Sequence, residues 1–501
     1  MSETRYIPMK SIVVQAYLWL AIPVAIFLAA WIRPAISIPL LIGLVWALTA
    51  IFRKNTDSPL FRSEGFDHGI RRDRTLLWMA LIVVGMLIWC GMGGFISQYK
   101  TDGMWRNAVA YDLVKLPWPV EYPPADGEPR ILSYYFGFWL PSALGAKIFG
   151  NSLIVGDILQ ILYAAWGVCI VLAFLFSFCH GRRRWLALLL FLFFGVWDIV
   201  GALLMFDPSI DPIEYLIYSE VYTGYHWFMA PQQILKSTFN QGIPAMFGMM
   251  LLYYQRRNPG WMIFTFVLIL FFAPFPCIGA FPALAVWIHM NFRKSLSWPN
   301  LLALPLAILF AAFFMSNNNG TGLGVHTDPA TLFKIAWRGA LWFALSVAIY
   351  LPFIWKDVKG NWLFWLLVAT ALLVPLLHAR GTADLGWRAC TPMAVMLLML
   401  VVRKGVYVEN WLLPRNICFA AVLLIASFEA VSAYALRGYY EVTRVIIAGE
   451  PPKETCYDGS LSDSDVTLYA DNFVSERSSF FYRHIMRHPE TANPDLESSE
   501  K

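Results

Sequence analysis

Charge is what this chain has least of. Asp, Glu, Lys and Arg make up 14% of its 501 residues, hydrophobic residues make up 58%, and the mean hydropathy is +0.56. Soluble domains carry about a quarter charged residues, so a water-soluble globule is excluded and a multi-span membrane protein is implied. The seven cysteines form no CxxC pair and fall mostly in apolar runs, which excludes a disulfide framework or a thiolate metal site as an organising principle. Phosphate-cradling glycine loops, zinc-type His/Cys spacing and Ser-His-Asp signatures are missing too. No internal repeat is visible, which weighs against a carrier built from inverted repeats. The net charge of +5 offers no basic surface for nucleic acid.

What is present is a series of apolar runs. A span needs roughly 17 to 25 apolar residues, fewer where neighbouring protein shields a broken helix. Thirteen segments qualify, at 12–32, 35–52, 75–97, 152–178, 185–206, 240–254, 261–273, 276–290, 299–315, 335–355, 361–377, 389–402 and 415–435. The first two lie too close together for a cleaved signal peptide and read as a hairpin. The expected fold class is therefore all-α and polytopic, with about thirteen transmembrane helices plus interfacial or re-entrant ones. Residues 1–435 form the membrane domain and 436–501 an extracytoplasmic tail.

Orientation follows from the cations. Basic clusters at Arg53-Lys54, Arg71 to Arg74, Arg182 to Arg184, Arg256-Arg257, Arg293-Lys294 and Arg403-Lys404 all fall on one side if the N-terminus is cytoplasmic. That assignment forces Trp261 to Met290 to enter and return around Pro274-Phe275-Pro276. It also forces Ile131 to Phe149 to stop short of a crossing, as an interfacial or re-entrant helix bent at Pro141. Outward loops then cover 98–150, 207–239, 316–334 and 378–388. In the tail, SSFFYRHIMRH has the pattern of a short amphipathic helix and is expected to be a solvated end rather than a lid.

The acids, amides and histidines concentrate on the outward face. Asp102 opens the run TDGMWRNAVAYDL directly after the third span. It can cap the following helix, or serve as general base towards an acceptor hydroxyl, or do both. Arg106 shares its helix face and can pair with it or with a phosphate, Asn107 follows, and Asp112 is the reserve acid. Arg388 stands in GTADLGWRACTPM at the mouth of a span, where a guanidinium can hold a lipid phosphate bidentately or pair with Asp384. Arg380 is a second phosphate ligand, and Tyr134 and Tyr135 lie in LSYYFGFWLP. His226, Gln232 and Gln233, in HWFMAPQQ, combine the aromatic faces and amides that bind saccharides, although a histidine among aromatics also suits a structural role. Asp157, Asp198 and Glu429 fall inside spans, where a carboxylate needs a partner or a wet cavity; structural pairing is the expected role, and the floor of one outward cavity is the alternative for all three.

The ordered blocks TDGMWRNAVAYDL, LSYYFGFWLPSALGAKIFG, FFGVWDIVG, MAPQQ and ADLGWRACTP, running from about 98 to 392, resemble bacterial membrane glycosyltransferases of the GT-C superfamily, related to protein O-mannosyltransferases. The resemblance implies a base at Asp102, a polyprenyl-phosphate-linked sugar as donor, a glycan, lipid or protein acceptor, and a bacterial inner-membrane location among membrane lipids. It leaves room for a divalent cation, Mg or Mn. Two features depart from the family pattern: two spans precede what would be its first, and no Asp-x-Asp pair stands at Asp102. A lipid-linked saccharide flippase, and a polymerase or ligase using diphosphate donors, are the alternative functions.

Overall fold

The computed structural model describes residues 6–63, 66, 69–95, 102–122, 130–177, 183–205, 222–317, 323–379, 383–441, 443, 447, 460–461 and 473–488. Helices dominate, and strands are confined to short pairs between loops. Among the described residues six helices are long and apolar enough to cross a membrane: Met9–Trp31, Pro34–Arg53, Leu153–Phe176, Trp298–Met315, Asp384–Val406 and Pro414–Ala435. Shorter apolar helices occupy Arg74–Trp89, Pro259–Leu270, Pro274–Met290 and Trp362–Leu376.

Asp384–Val406 is the most enclosed of these six, and Leu153–Phe176 is two-thirds enclosed. Ser152 starts it by accepting from the Val155 amide. Inside an apolar bundle every N–H and O–H must find protein, and the aromatics show how. Trp19 Nε1 donates to the Tyr163 carbonyl at 2.9 Å, the Tyr163 hydroxyl returns to the Trp19 carbonyl at 2.7 Å, and the two rings stack at 4.2 Å. Tyr17 finds Gln255 and Thr265 in the same way.

Expected span 75–97 is α-helical only to Trp89, and two others break in their interior. Segment 185–206 breaks into Arg183–Leu192 and Asp198–Leu204, with an irregular stretch between them. Such a stretch survives only where other chain satisfies its backbone. Here the Tyr350 hydroxyl donates to the Gly195 carbonyl at 2.7 Å, and the Trp197 amide donates to the Leu345 carbonyl at 3.1 Å. Leu345 belongs to a π-helical turn, Ala344–Ala348, whose looser winding frees carbonyls from the usual ladder. Beyond that turn the second expected span, 335–355, bends by 81°. Pro141 does not bend a helix either: it sits in the first turn of Leu140–Ile148, where its missing N–H costs nothing.

The two ends of the bundle differ. At one end β1 (Tyr6–Pro8) pairs with β2 (Gly69–Arg71), and arginines reach between loops. Arg184 donates to the Arg71 carbonyl and to Asp73, Arg183 to the Val406 carbonyl, and Arg256 to the Ser63 hydroxyl. Against the cost of partial burial, Thr75 and Arg184 hold the Asp73 carboxyl below its usual range. At the other end β3 (Glu121–Tyr122) and β4 (Arg130–Leu132) are extended by a third strand from the tail; β5 (Leu323–Val325) and β6 (Leu377–Ala379) form a separate antiparallel pair.

That third strand, β7 (Val474–Glu476), corrects the expectation of a solvated tail. Phe481 and Met486 are fully enclosed, with Phe481 among Phe27 and Phe313. Arg33 Nε donates to the Met486 carbonyl at 3.0 Å, and the Arg487 amide to the Trp31 carbonyl at 2.7 Å. The segment alternates apolar and cationic side chains, so it docks by its apolar members. SSFFYRHIMRH forms only a single turn, Phe481–Ile485.

Candidate functional site

The Asp102–Lys115 helix begins where the expected base stands, but the Asp102 side chain lies outside the described residues, as does all of Arg380. The helix is fixed at its far end by Lys147, whose ammonium donates to the carbonyls of Val114 and Leu116 at 3.1 and 2.6 Å, a cation answering the open carbonyls of a C-terminus. One turn past Asp102, Arg106 is buried with its guanidinium 5.9 Å from the Phe239 ring centre; Asn107 is buried beside it.

Arg388 arrives from the far part of the chain. The six-residue helix Asp384–Ala389 presents it so that Nη1 donates to the Tyr135 hydroxyl at 2.8 Å, with its guanidinium carbon 5.6 Å from the Phe275 ring centre. The Asp384 carboxylate is 3.6 Å away and 41% exposed, an ion pair of little strength in water. Tyr134 and Tyr135 lie ring against ring, 3.8 Å between centres. Burial and the adjacent Tyr135 push the Tyr134 phenol well above its usual range, while the positive charges of Arg106 and Arg388 both pull it down. Two guanidiniums from opposite halves of the sequence therefore bear on one phenol.

A second cluster gathers the intramembrane acids. Asp198 accepts from the Tyr222 hydroxyl at 3.1 Å, Gln233 Nε2 donates to Glu429 Oε1 at 3.0 Å, and Asp198 lies near enough to Glu429 for the two acids to act on each other. Gln232 lies beside the same carboxylate. Gly195 makes the approach possible: a Cβ there would come within 2.3 Å of the Ala426 carbonyl oxygen. Asp157 is not part of this group. It lines a small separate cavity with Trp139, Ser142 and Gln160, so the three acids do not share one floor.

Two further expected residues are enclosed. Asp112 accepts from the Tyr122 hydroxyl at 2.8 Å and from the Leu461 amide at 3.0 Å, clasping its own loop and the tail. Burial and the Asp112 charge together raise the Tyr122 phenol well above its usual value. His226, 1% exposed, rests on Trp342 with Nε2 at 3.4 Å from the Leu372 carbonyl, and burial pushes its imidazole down to about 4.

Tyr222 counted in the sequence only among the polar residues of the outward loops, and Phe239 and Phe275 were not given a role. Only Phe275, held between two prolines in a turn, carried a local signal. Comparison with protein-family models, curated proteins and solved structures finds no match to this chain.

Proposed function

We propose that the chain is an inverting GT-C-type glycosyltransferase of the bacterial inner membrane, with thirteen transmembrane segments, a cytoplasmic N-terminus and an extracytoplasmic tail. It transfers a sugar from a polyprenyl-phosphate-linked donor to a cell-envelope acceptor on the outer side. The observation that carries this reading is the convergence of Arg106 and Arg388 on the Tyr134–Tyr135 pair. Two cations beside an aromatic floor suit a phosphate next to a sugar ring. The loops expected outside also meet one another, through β3–β4–β7 and β5–β6, and the loops expected inside meet through β1–β2 and the arginine contacts.

In the proposed step the acceptor hydroxyl attacks the anomeric carbon from the face opposite the phosphate. The new glycosidic bond forms as the sugar–phosphate bond breaks, Asp102 takes the hydroxyl proton, and polyprenyl phosphate leaves with its charge held by Arg388 and Arg106. Gln232, Gln233 and Asp198 fall to the enclosed acid cluster, so the sugar wall is assigned to Tyr134 and Tyr135.

Transfer by the purified protein, with a polyprenyl-phosphate-linked sugar as donor, tests the reading. Asp102→Asn is expected to abolish turnover while donor binding persists; full activity in that variant removes the base. The paired arginines also suit a diphosphate donor, as in a glycan polymerase or ligase. Supplying monophosphate and diphosphate donors side by side separates the two.

A further inference from the structure

Five helices, Phe239–Tyr254, Met262–Leu270, Pro274–Met290, Trp362–Leu373 and Thr391–Val406, wall a cleft of about 560 Å3, part of it open to the surroundings. Its lining is apolar except at Tyr253 and Trp287. Water finds no partners in such a space, whereas hydrocarbon fills it without cost. Met249, Met262, Met396 and Met399 supply pliable walls, suited to an occupant that bends. A lipid chain is such an occupant.

The two exceptions say how its head is held. Trp287 is the one lining residue with a side-chain N–H, and among the described residues that N–H has no acceptor. A buried donor left so is costly, and the ester carbonyl of a lipid answers it. Tyr253 carries the Arg256 guanidinium 4.4 Å from its ring centre. The other walls lead to cations as well: Arg403 stands one turn beyond Met399, Lys359 one turn before Leu363, and Lys294 in the short helix Phe292–Ser295 that follows Met290. Contacts between loops put these cations at one end of the bundle. Arg403 lies 3.8 Å from Asp357, Arg183 reaches the Val406 carbonyl, and the Ser297 hydroxyl donates to the Gly260 carbonyl, just past Arg256. The Arg403–Asp357 pair is exposed at both partners and offsets little of the positive charge.

We infer that this cleft binds one acidic phospholipid of the surrounding bilayer. An acyl chain lies between the methionines, an ester carbonyl accepts from Trp287 Nε1, and the phosphate rests among the cations, as in other basic pockets between membrane helices. The site is separate from the proposed transfer of sugar: Arg388 and Arg403 lie near opposite ends of the Asp384–Val406 helix.

The full chain, purified in maltoside detergent and stripped of lipid, is titrated with phosphatidylglycerol and, separately, with phosphatidylcholine, and bound lipid is counted by native mass spectrometry. One phosphatidylglycerol per chain is expected, held at least about tenfold more tightly than phosphatidylcholine, and retained in Arg388→Ala. Ala283→Phe puts a ring into the cleft and is expected to weaken binding at least about tenfold, with elution volume and helicity unchanged. Lys359→Gln combined with Arg403→Gln leaves the walls intact and is expected to lower the preference for the acidic lipid at least about fivefold. The wild-type titration and the charge variant stand on their own if Ala283→Phe does not fold. No stoichiometric phosphatidylglycerol in the wild type, no preference over phosphatidylcholine, or binding lost with Arg388→Ala and kept with Ala283→Phe, overturns the site.

Discussion

The two polar clusters have opposite signs and are joined by one stretch of chain. Arg106 and Arg388 bring positive charge to a pair of phenols, whereas Asp198 and Glu429 bring negative charge to a pair of amides. Residues 222–241 run between them. Tyr222 holds Asp198, the Trp227 ring packs on Trp387 beside Arg388, Gln233 holds Glu429, and Phe239 faces Arg106. The contrast shows how one connection can keep a cationic cluster and an acidic cluster apart.

The largest test of that division is removal of the cations. Arg388→Ala is expected to lower sugar transfer by about a hundredfold, the size of a lost charge-assisted phosphate contact of roughly 3 kcal/mol. Adding Arg106→Ala should cost less than it does alone if both guanidiniums grip one phosphate; a double-mutant cycle on kcat/KM reads this, and strict additivity would show two independent sites.

Between the clusters, His226 carries neither sign. Its folded value of about 4 lies below the unfolded 6.5, so the unfolded chain binds more protons between those two values. Stability is therefore full above pH 6.5 and falls as pH drops towards 4, by roughly 3 kcal/mol. Melting of the wild type over that range should steepen downward relative to His226→Phe. Identical profiles would mean that the imidazole is already wet.

The smallest effect concerns the phenol that positions Arg388. Tyr135→Phe removes one hydroxyl and is expected to weaken donor binding only about tenfold or less, through KM more than kcat. A loss as large as that of Arg388→Ala would place the hydroxyl on the substrate itself.

The apolar segments were legible because hydropathy is local: every expected span carries helix. The breaks were not. Nothing between Phe193 and Trp197 announces that its backbone will be satisfied by Tyr350 and Leu345, about 150 residues away, since that depends on a π turn elsewhere. Individual polar residues were visible as outliers in an apolar chain, but hydropathy cannot say which outliers meet. Asp198 lies with Glu429, where Gly195 admits the close approach of the Ala426 backbone, while Asp157 lines a different cavity with Trp139, Ser142 and Gln160. The tail misled because its cations suggested water, whereas Phe481 and Met486 decide its place.

β7 lies against β4, and Phe473, just before it, packs on Tyr134 with ring centres 4.5 Å apart. Residues 473–488 and the 130–136 segment are thus one woven patch made from distant parts of the chain. In chimeras between this protein and any relative, the two would have to be exchanged together, and a graft of either alone would bring a foreign edge to the aromatic floor.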